Sequence, residues 1–427
     1  MILKNYWEDS FKDFNSCESL KGEINCDFLV VGGGIAGLHA ALFLSGKGDV
    51  VLIEKNLCGE GSTGKSSAFL MPDSEMELKH FIRWHGLKEG KEVWGIPEKG
   101  VNLIVKTAKK YNLRCDLKKE DSLFLAVGKK GLDAVISEGE ARKKAGFPYK
   151  LYNIKSLTKI LGAKNYAGGI RYGTTWTFHP VKYIQELKKI LLKKGVRIYE
   201  NTEAKSISKN KVYTSGGCIK GRKIILSIAI GEKRFRNTKK YAYHTQSYIA
   251  VSRPLRSKEI KSIYPSGKIM CWDTLLAYNY YRILPDNRFL YGGSSALTAY
   301  LPFFVKSKML MKFILRDFRK HYPSLKDLKF EFFWGGFVPT SKDLIPVVDY
   351  DSENKDILYV LGCAGLPWAA FCGDYAARKI LNQNRNCDKY FKKEKNFFIP
   401  HWMESILPRA ITFSINNLYS KYYQKDK

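Results

Sequence analysis

A short apolar run, Cys26–Val31 (CDFLVV), stops at a cluster of glycines, as a buried parallel strand does. Small and apolar residues from Ile35 to Ser45 (IAGLHAALFLS) then predict a helix, and DVVLIEK predicts a second buried strand. The three form a strand–helix–strand unit. A second such signal lies near mid-chain. Val181, Ile184, Leu187 and Leu191 recur at helical spacing behind Pro180, and VRIYENT reads as the strand that follows. VYTSGGCIKGRKIILSIAI reads as a hairpin leading into a buried strand. Residues 244–293 are aromatic, strand-like and cut by turns such as PDNR. DILYVLGCAGLPWAAFCGDYAARKIL reads as strand, glycine turn and helix. The tail, residues 391–427, is basic and aromatic. In it Ile411, Ile415, Leu418 and Tyr422 keep helical spacing beside Lys421, Lys425 and Lys427. That basic amphipathic pattern suits contact with an anionic membrane or a partner, or packing on the protein's own body.

Two glycine-rich stretches compete for a nucleotide. The first is Gly32-x-Gly34-x-x-Gly37, between the first strand and the first helix. Gly32 permits a tight turn, Gly34 lets backbone approach a pyrophosphate, and Gly37 lets helix and strand pack closely. Backbone N–H groups at Ile35 and Ala36 open the helix, where an anion binds. The second strand ends in Glu54, placed to accept ribose hydroxyls, with Lys55 beside it. The other stretch, GEGSTGKS (59–66), spells the phosphate loop of nucleotide hydrolases. Its surroundings do not fit. A spacer separates it from its strand, SAFLMPDS has no helical stripe, and the best magnesium-binding Asp follows Pro346 inside LIPVVD. Dinucleotide binding by the first loop is therefore expected, with hydrolysis a remote alternative. The second loop extends the same site. Gly61, Ser62, Thr63, Lys65, Ser66 and Ser67 offer close backbone, hydroxyls and a cation to a long dinucleotide such as FAD.

Composition changes this picture little. The 427 residues are 45% hydrophobic and 26% charged, an ordinary globular balance with room for two domains. No run is apolar enough to cross a membrane, and MILKNYWEDSFKDF lacks the apolar core of a secretion signal. Nine scattered cysteines without a Cys-x-x-Cys pair suggest reduced thiols in a cytoplasm, not disulfides or a zinc site. A net charge of +31 invites nucleic acid or anionic lipid. The lysines are spread evenly, however, with no nucleic-acid motif, so a solvated basic surface is expected. His80 and His85 are badly spaced for one metal, and no metal site is expected.

CDFLVVGGGIAGLHAALFL, DVVLIEK and GEGSTGKSSAFL together resemble the FAD-dependent oxidoreductases of the D-amino-acid oxidase family, in the branch that includes gamma-glutamylputrescine oxidoreductase. HPVKYIQELKKILLKKGVRIYENTEA, which contains Ala204, is similar to that family's second FAD-contacting segment. YYRILPDNRFLYGG, FFWGGFVPTSKDLIPVV and LYVLGCAGLPWAAFCGDYAARKIL resemble its later segments, with Gly365, Leu366 and Pro367 at the closing turn. The resemblance implies an α/β fold with a discontinuous Rossmann-like FAD-binding domain (1–72, 165–243 and 334–390). It also implies an α+β substrate domain with a mostly antiparallel sheet (73–164 and 244–333). It implies hydride transfer from the carbon beside a nitrogen to flavin, in oxidation of a C–N bond.

Departures from the family narrow the expectation. The position of its carboxylate-binding arginine is Val338 here, so α-amino acids are disfavoured in favour of a small amine. Leu290 stands where some members carry an oxygen-activating lysine, which leaves oxygen or another carrier open as electron acceptor. The covalent-link positions carry no suitable residue, so FAD is expected to be non-covalent. Pro367 removes one donor from the closing turn. Tyr280, Tyr281, Arg282 and Trp368 are candidates to line the pocket, with no catalytic residue assigned. The alternative chemistry is oxidation of a 2-hydroxy acid or a polyol phosphate.

Overall fold

In the computed structural model the strand Gly22–Val31 is the centre of the first sheet. Residues 3–236, 238–294, 301, 305, 308–383, 385–395, 401–408 and 411–416 are described. Leu29 and Val30 are fully buried, so the strand needs neighbours and cover on both faces, as its unbroken apolar run requires. Val50–Ile53 and Gly217–Ser227 pair with it in parallel. Arg197–Tyr199 and Ile357–Leu361 extend the parallel array at either side. A hairpin, Ser206–Ser208 and Lys211–Tyr213, joins the near half of Gly217–Ser227 antiparallel, and Val347–Tyr350 adds an antiparallel edge.

One face of this sheet is covered by the helices Ile35–Leu44, Pro180–Lys193 and Leu366–Ile380. Two of them approach so closely that a Cβ at Gly373 would strike the carbonyl of Ala36. Val181, Ile184, Leu187 and Leu191, the stripe read from the sequence, are all buried, at ~1.5–3 kcal/mol of stabilisation for each full-sized apolar side chain.

The second sheet runs in the order Phe330–Thr340, Tyr243–Pro254, Arg288–Gly293, Tyr280–Ile283, Met270–Asp273, Ser122–Val127, Tyr166–Tyr172 and Lys150–Asn153. All neighbours are antiparallel except Met270–Asp273 with Ser122–Val127. Sheet membership departs from the expected division at two places. Tyr166–Tyr172 lies in the second sheet although 165 onward was assigned to the first unit, and Phe330–Thr340 runs across the boundary set at 334. The helical segment Leu78–Lys110, bent at Gly86 (φ 76°), and the helix Gly128–Ala145 cover the second sheet towards the first. The helix Lys308–His321 packs on its far face.

The tail returns to the body. Phe391 is fully buried, and Phe413 is buried and stacks on Tyr243 with ring centroids 4.7 Å apart. Ile415 packs against the same core while Ile411 is exposed. Leu418, Lys421, Tyr422, Lys425 and Lys427 lie outside the described residues. Among the described residues no helix is long and apolar enough to cross a membrane.

Candidate active site

A cavity of about 1580 Å³ lies between the two sheets. Its first end is the expected glycine turn. Gly32 has φ 112°, and a Cβ there would strike the Ser227 carbonyl. Gly37 does not line the cavity: it faces the Gly32 carbonyl, so its part is packing of helix on strand. Gly34, Ile35 and Ala36 do line it, at the start of the first helix. Glu54 is held in place at the end of its strand. One carboxylate oxygen accepts from Gly33 N–H (2.7 Å) and the other from Asn56 N–H (3.0 Å). Each oxygen keeps a lone pair for a further donor, as a ribose hydroxyl would require.

The second glycine loop borders the same space. Gly61, Ser62, Thr63, Lys65, Ser66 and Ser67 all line the cavity, as does Lys55. The loop makes only a single turn of 3-10 helix, Thr63–Lys65, followed by the strand Phe69–Leu70. It opens no long helix, so it lacks the frame of a phosphate-hydrolysing loop. Thr63 Oγ1 accepts from Ile35 N–H (3.1 Å), which ties the two loops together. Other anchors come from distant segments. Asn5 donates to Gly64 O (2.8 Å), Trp7 to Ser66 O (2.8 Å) and Trp334 to Lys65 O (3.1 Å). At its start, buried Glu200 accepts from Cys58 N–H (2.7 Å) and is paired with Lys188 at 3.0 Å. None of these anchors carries a local sequence signal, because each acts across the fold.

The closing segment contributes a second helix start. Gly365 (φ 103°), Leu366 and Pro367 line the cavity at the N-terminus of Leu366–Ile380. Pro367 occupies the first turn, where its missing N–H removes no helical bond but still leaves the helix start one donor short. Ala204 lines the cavity beside Thr202 and Glu203. The two helix starts, with Lys55 and Lys65, give this end donors, while Arg234 is paired with Glu203 and Glu232. A Cβ at Gly34 would lie 3.3 Å from Thr63 Oγ1, within the space a pyrophosphate needs. Close backbone, two helix N-termini, a fixed carboxylate and the Lys55 and Lys65 side chains fit a flavin dinucleotide.

The pocket candidates separate. Tyr280 lines the cavity, its hydroxyl 2.7 Å from Ser247 Oγ, and burial raises its pKa. Tyr281 does not line it: strand alternation turns it to the opposite face, where it stacks on Tyr291. Arg282 lies on the same face as Tyr280 but outside the cavity, 5.6 Å from the Trp7 ring and 5.9 Å from the Phe69 ring. Burial lowers its pKa to about 10. Trp368 is buried beneath its helix against Phe391 and does not line the cavity either. Val338 does line it, whereas Leu290 is buried in the core.

The far end of the cavity was not read from the sequence. Phe124, Tyr172, Trp272 and Tyr278 form its walls, and Asp73 and Glu75 project from the segment after the second loop. His80 lines the cavity and pairs with Glu77 at 3.3 Å, while His85 stacks on Phe81. Among the described residues no group of His, Cys, Asp and Glu is arranged to hold a metal ion.

Residues 27–379 match the family described as FAD dependent oxidoreductase, DAO. The chain belongs to that family. It is 25% identical over 394 residues to the probable oxidoreductase OrdL of Haemophilus influenzae, covering 90% of this chain and 89% of that protein. It is 24% identical over 406 residues to the gamma-glutamylputrescine oxidoreductase of Escherichia coli, covering 93% and 92%. The fold is similar to the crystal structure of glycine oxidase from Geobacillus kaustophilus (TM-score 0.75, 15% identity), covering 87% of this chain and 99% of that one. As a DAO-family member the protein is an FAD-dependent oxidoreductase, and the glycine cradle and second loop are where its residues fit the cofactor.

Proposed function

We propose that the protein oxidises a C–N bond of a small amine that lacks an α-carboxylate. The observation that carries this reading is Val338 in the cavity wall. A buried substrate carboxylate needs a fixed cation to offset its desolvation. Val338 supplies none, and Arg282 lies outside the cavity. The aromatic walls and carboxylates of the far end suit a cationic amine instead. The name of the Escherichia coli relative, a gamma-glutamylputrescine oxidoreductase, agrees with an amine substrate.

Bound FAD supplies the acceptor for a hydride, with which the carbon beside nitrogen loses two electrons and leaves an imine for hydrolysis. The chain's own part is placement. The second loop and Phe330–Thr340 close one side of the cavity, fixed together by Ser62 Oγ donating to Phe337 O (2.8 Å). Tyr280 and Val338 form wall, which holds the reacting carbon and excludes water. Non-covalent FAD belongs to this reading, and acid precipitation should release it into the supernatant.

The test is anaerobic addition of substrates to the yellow holoenzyme. Primary or secondary amines are expected to bleach the flavin, and free α-amino acids to do so slowly or not at all. Fast bleaching by α-amino acids, or by 2-hydroxy acids or polyol phosphates without response to amines, overturns the proposal.

A further inference from the structure

We propose that the far end of the cavity is a subsite for a second cationic group, so that the preferred substrate is a diamine or longer polyamine. This rests on the amine reading above and adds a substrate class to it.

The walls are aromatic on several sides. Trp272 stacks on Phe124 (5.4 Å, 17°) and Tyr172 leans on Trp272 (5.5 Å, 49°), while Tyr278 lies 5.9 Å from Tyr280. All five line the cavity. Such rings attract an ammonium through their faces, more strongly when it is desolvated.

Two carboxylates line this box without an ion-pair partner among the described residues, although Arg142, whose guanidinium lies 3.6 Å from the Tyr172 ring centroid, acts on Asp73. Asp73 lines the cavity, and its hydrogen bond is to the neighbouring Ser74 N–H (2.7 Å). Glu75 lines it too and accepts from the Tyr278 hydroxyl (3.2 Å). The nearby positive groups have partners of their own, with one terminal Arg142 nitrogen left unpaired. Arg142 is buried and donates to Glu138 (3.1 Å), Lys79 donates to Ala134 O (3.3 Å), and His80 pairs with Glu77. Arg83 and Lys130 also line the cavity but are exposed, at its rim. Burial, with help from Glu138 and Glu77 and against the pull of Arg142, holds the Asp73 carboxyl well above its ordinary range. An arriving ammonium would reverse that balance and ionise it.

An independent feature marks the same end as built for a ligand. Ser74 lines the cavity next to Asp73, and its hydroxyl is buried without a hydrogen-bond partner. A donor left unmet in so enclosed a place costs roughly 1–3 kcal/mol, relieved when a ligand acceptor or a water reaches it. No metal arrangement competes for the two carboxylates among the described residues.

The experiment uses the holoenzyme with three chains of equal length: a linear diamine, the monoamine, and the diamine acetylated at one end. The wild type is expected to favour the diamine in kcat/KM by about tenfold or more, the weight of one charged contact, mainly through KM. In Asp73→Asn the ratio of diamine to monoamine should fall towards one, and Glu75→Gln should lower it less. Flavin content and melting temperature report whether each variant is folded, and Glu75→Gln carries the test if Asp73→Asn is not. A second arm reads binding without turnover: the diamine should raise the melting temperature of the oxidised wild type more than that of the variant. Amine oxidation with no preference for the diamine overturns the subsite and leaves the amine reading standing. A diamine-specific shift with no amine oxidation overturns that reading and supports the subsite. An equal shift from magnesium or potassium chloride shows a bare cation site and overturns the proposal.

Discussion

At the residue scale the cradle depends on one missing side chain. Gly34 lies where the first helix begins, and an added Cβ would sit 3.3 Å from the Thr63 hydroxyl, in a space the apoprotein can adjust to. The same methyl group would intrude on a pyrophosphate. Gly34→Ala is therefore expected to leave the melting temperature of the apoprotein nearly unchanged and to lower the flavin-to-protein absorbance ratio of the purified enzyme. Full flavin retention would show that the pyrophosphate lies elsewhere. His39, one turn along, bears on stability instead. It is buried, 2.9 Å from the Tyr183 hydroxyl, and burial pushes its pKa from 6.5 down to about 3. Between those values the unfolded chain binds a proton that the folded one refuses. Its contribution is thus complete above about pH 6.5 and is lost as pH falls, by up to about 1.4 kcal/mol per pH unit. His179, also held near 3 by burial and then by Lys182, acts in the same direction. Melting temperatures of His39→Gln should fall less steeply than wild type between pH 6.5 and 4. An unchanged slope would place the acid sensitivity on other groups.

At the scale of elements, what was legible in the sequence is what local chemistry determines. The turn at Gly32 needs positive φ, the helix after it needs small residues, and the run CDFLVV needs burial on both faces, so each could be read from neighbours in sequence. The segment Leu78–Lys110 could not. Gly86, Gly90, Gly95, Pro97 and Gly100 interrupt it, and its buried glycines serve close approaches visible only in the fold, such as Gly100 against the Pro367 carbonyl. Tyr280 and Tyr281 show the same limit on a strand. Alternation says that one faces the cavity and the other does not, but only the packed sheet says which. The ambiguity of GEGSTGKS resolves likewise. Its composition suits phosphate, but Asn5, Trp7 and Trp334 fix it as a short turn beside the cradle.

At the scale of the whole molecule, the tail decides how the first unit is closed. The helix Leu366–Ile380 starts at the cofactor cradle and carries Trp368, Phe371 and Tyr375, which pack around fully buried Phe391. Val348 N–H donates to Phe391 O (2.9 Å), and Lys395 donates to Asp343 (2.9 Å). Farther on, Phe413 stacks on Tyr243 and Asn416 donates to Lys342 O (2.9 Å). Truncation after Cys387 removes two buried phenylalanines and uncovers the helix whose start lines the cavity. Loss of a buried phenylalanine side chain alone costs about 3–5 kcal/mol. The truncated protein should melt at a clearly lower temperature, lose flavin and lose solubility together. Truncation after Asn416 keeps every one of these contacts and should leave melting temperature and flavin content as they are. If the longer truncation stays as stable as wild type, the tail is an appendage to the cofactor unit and the packing around Phe391 carries little of its stability.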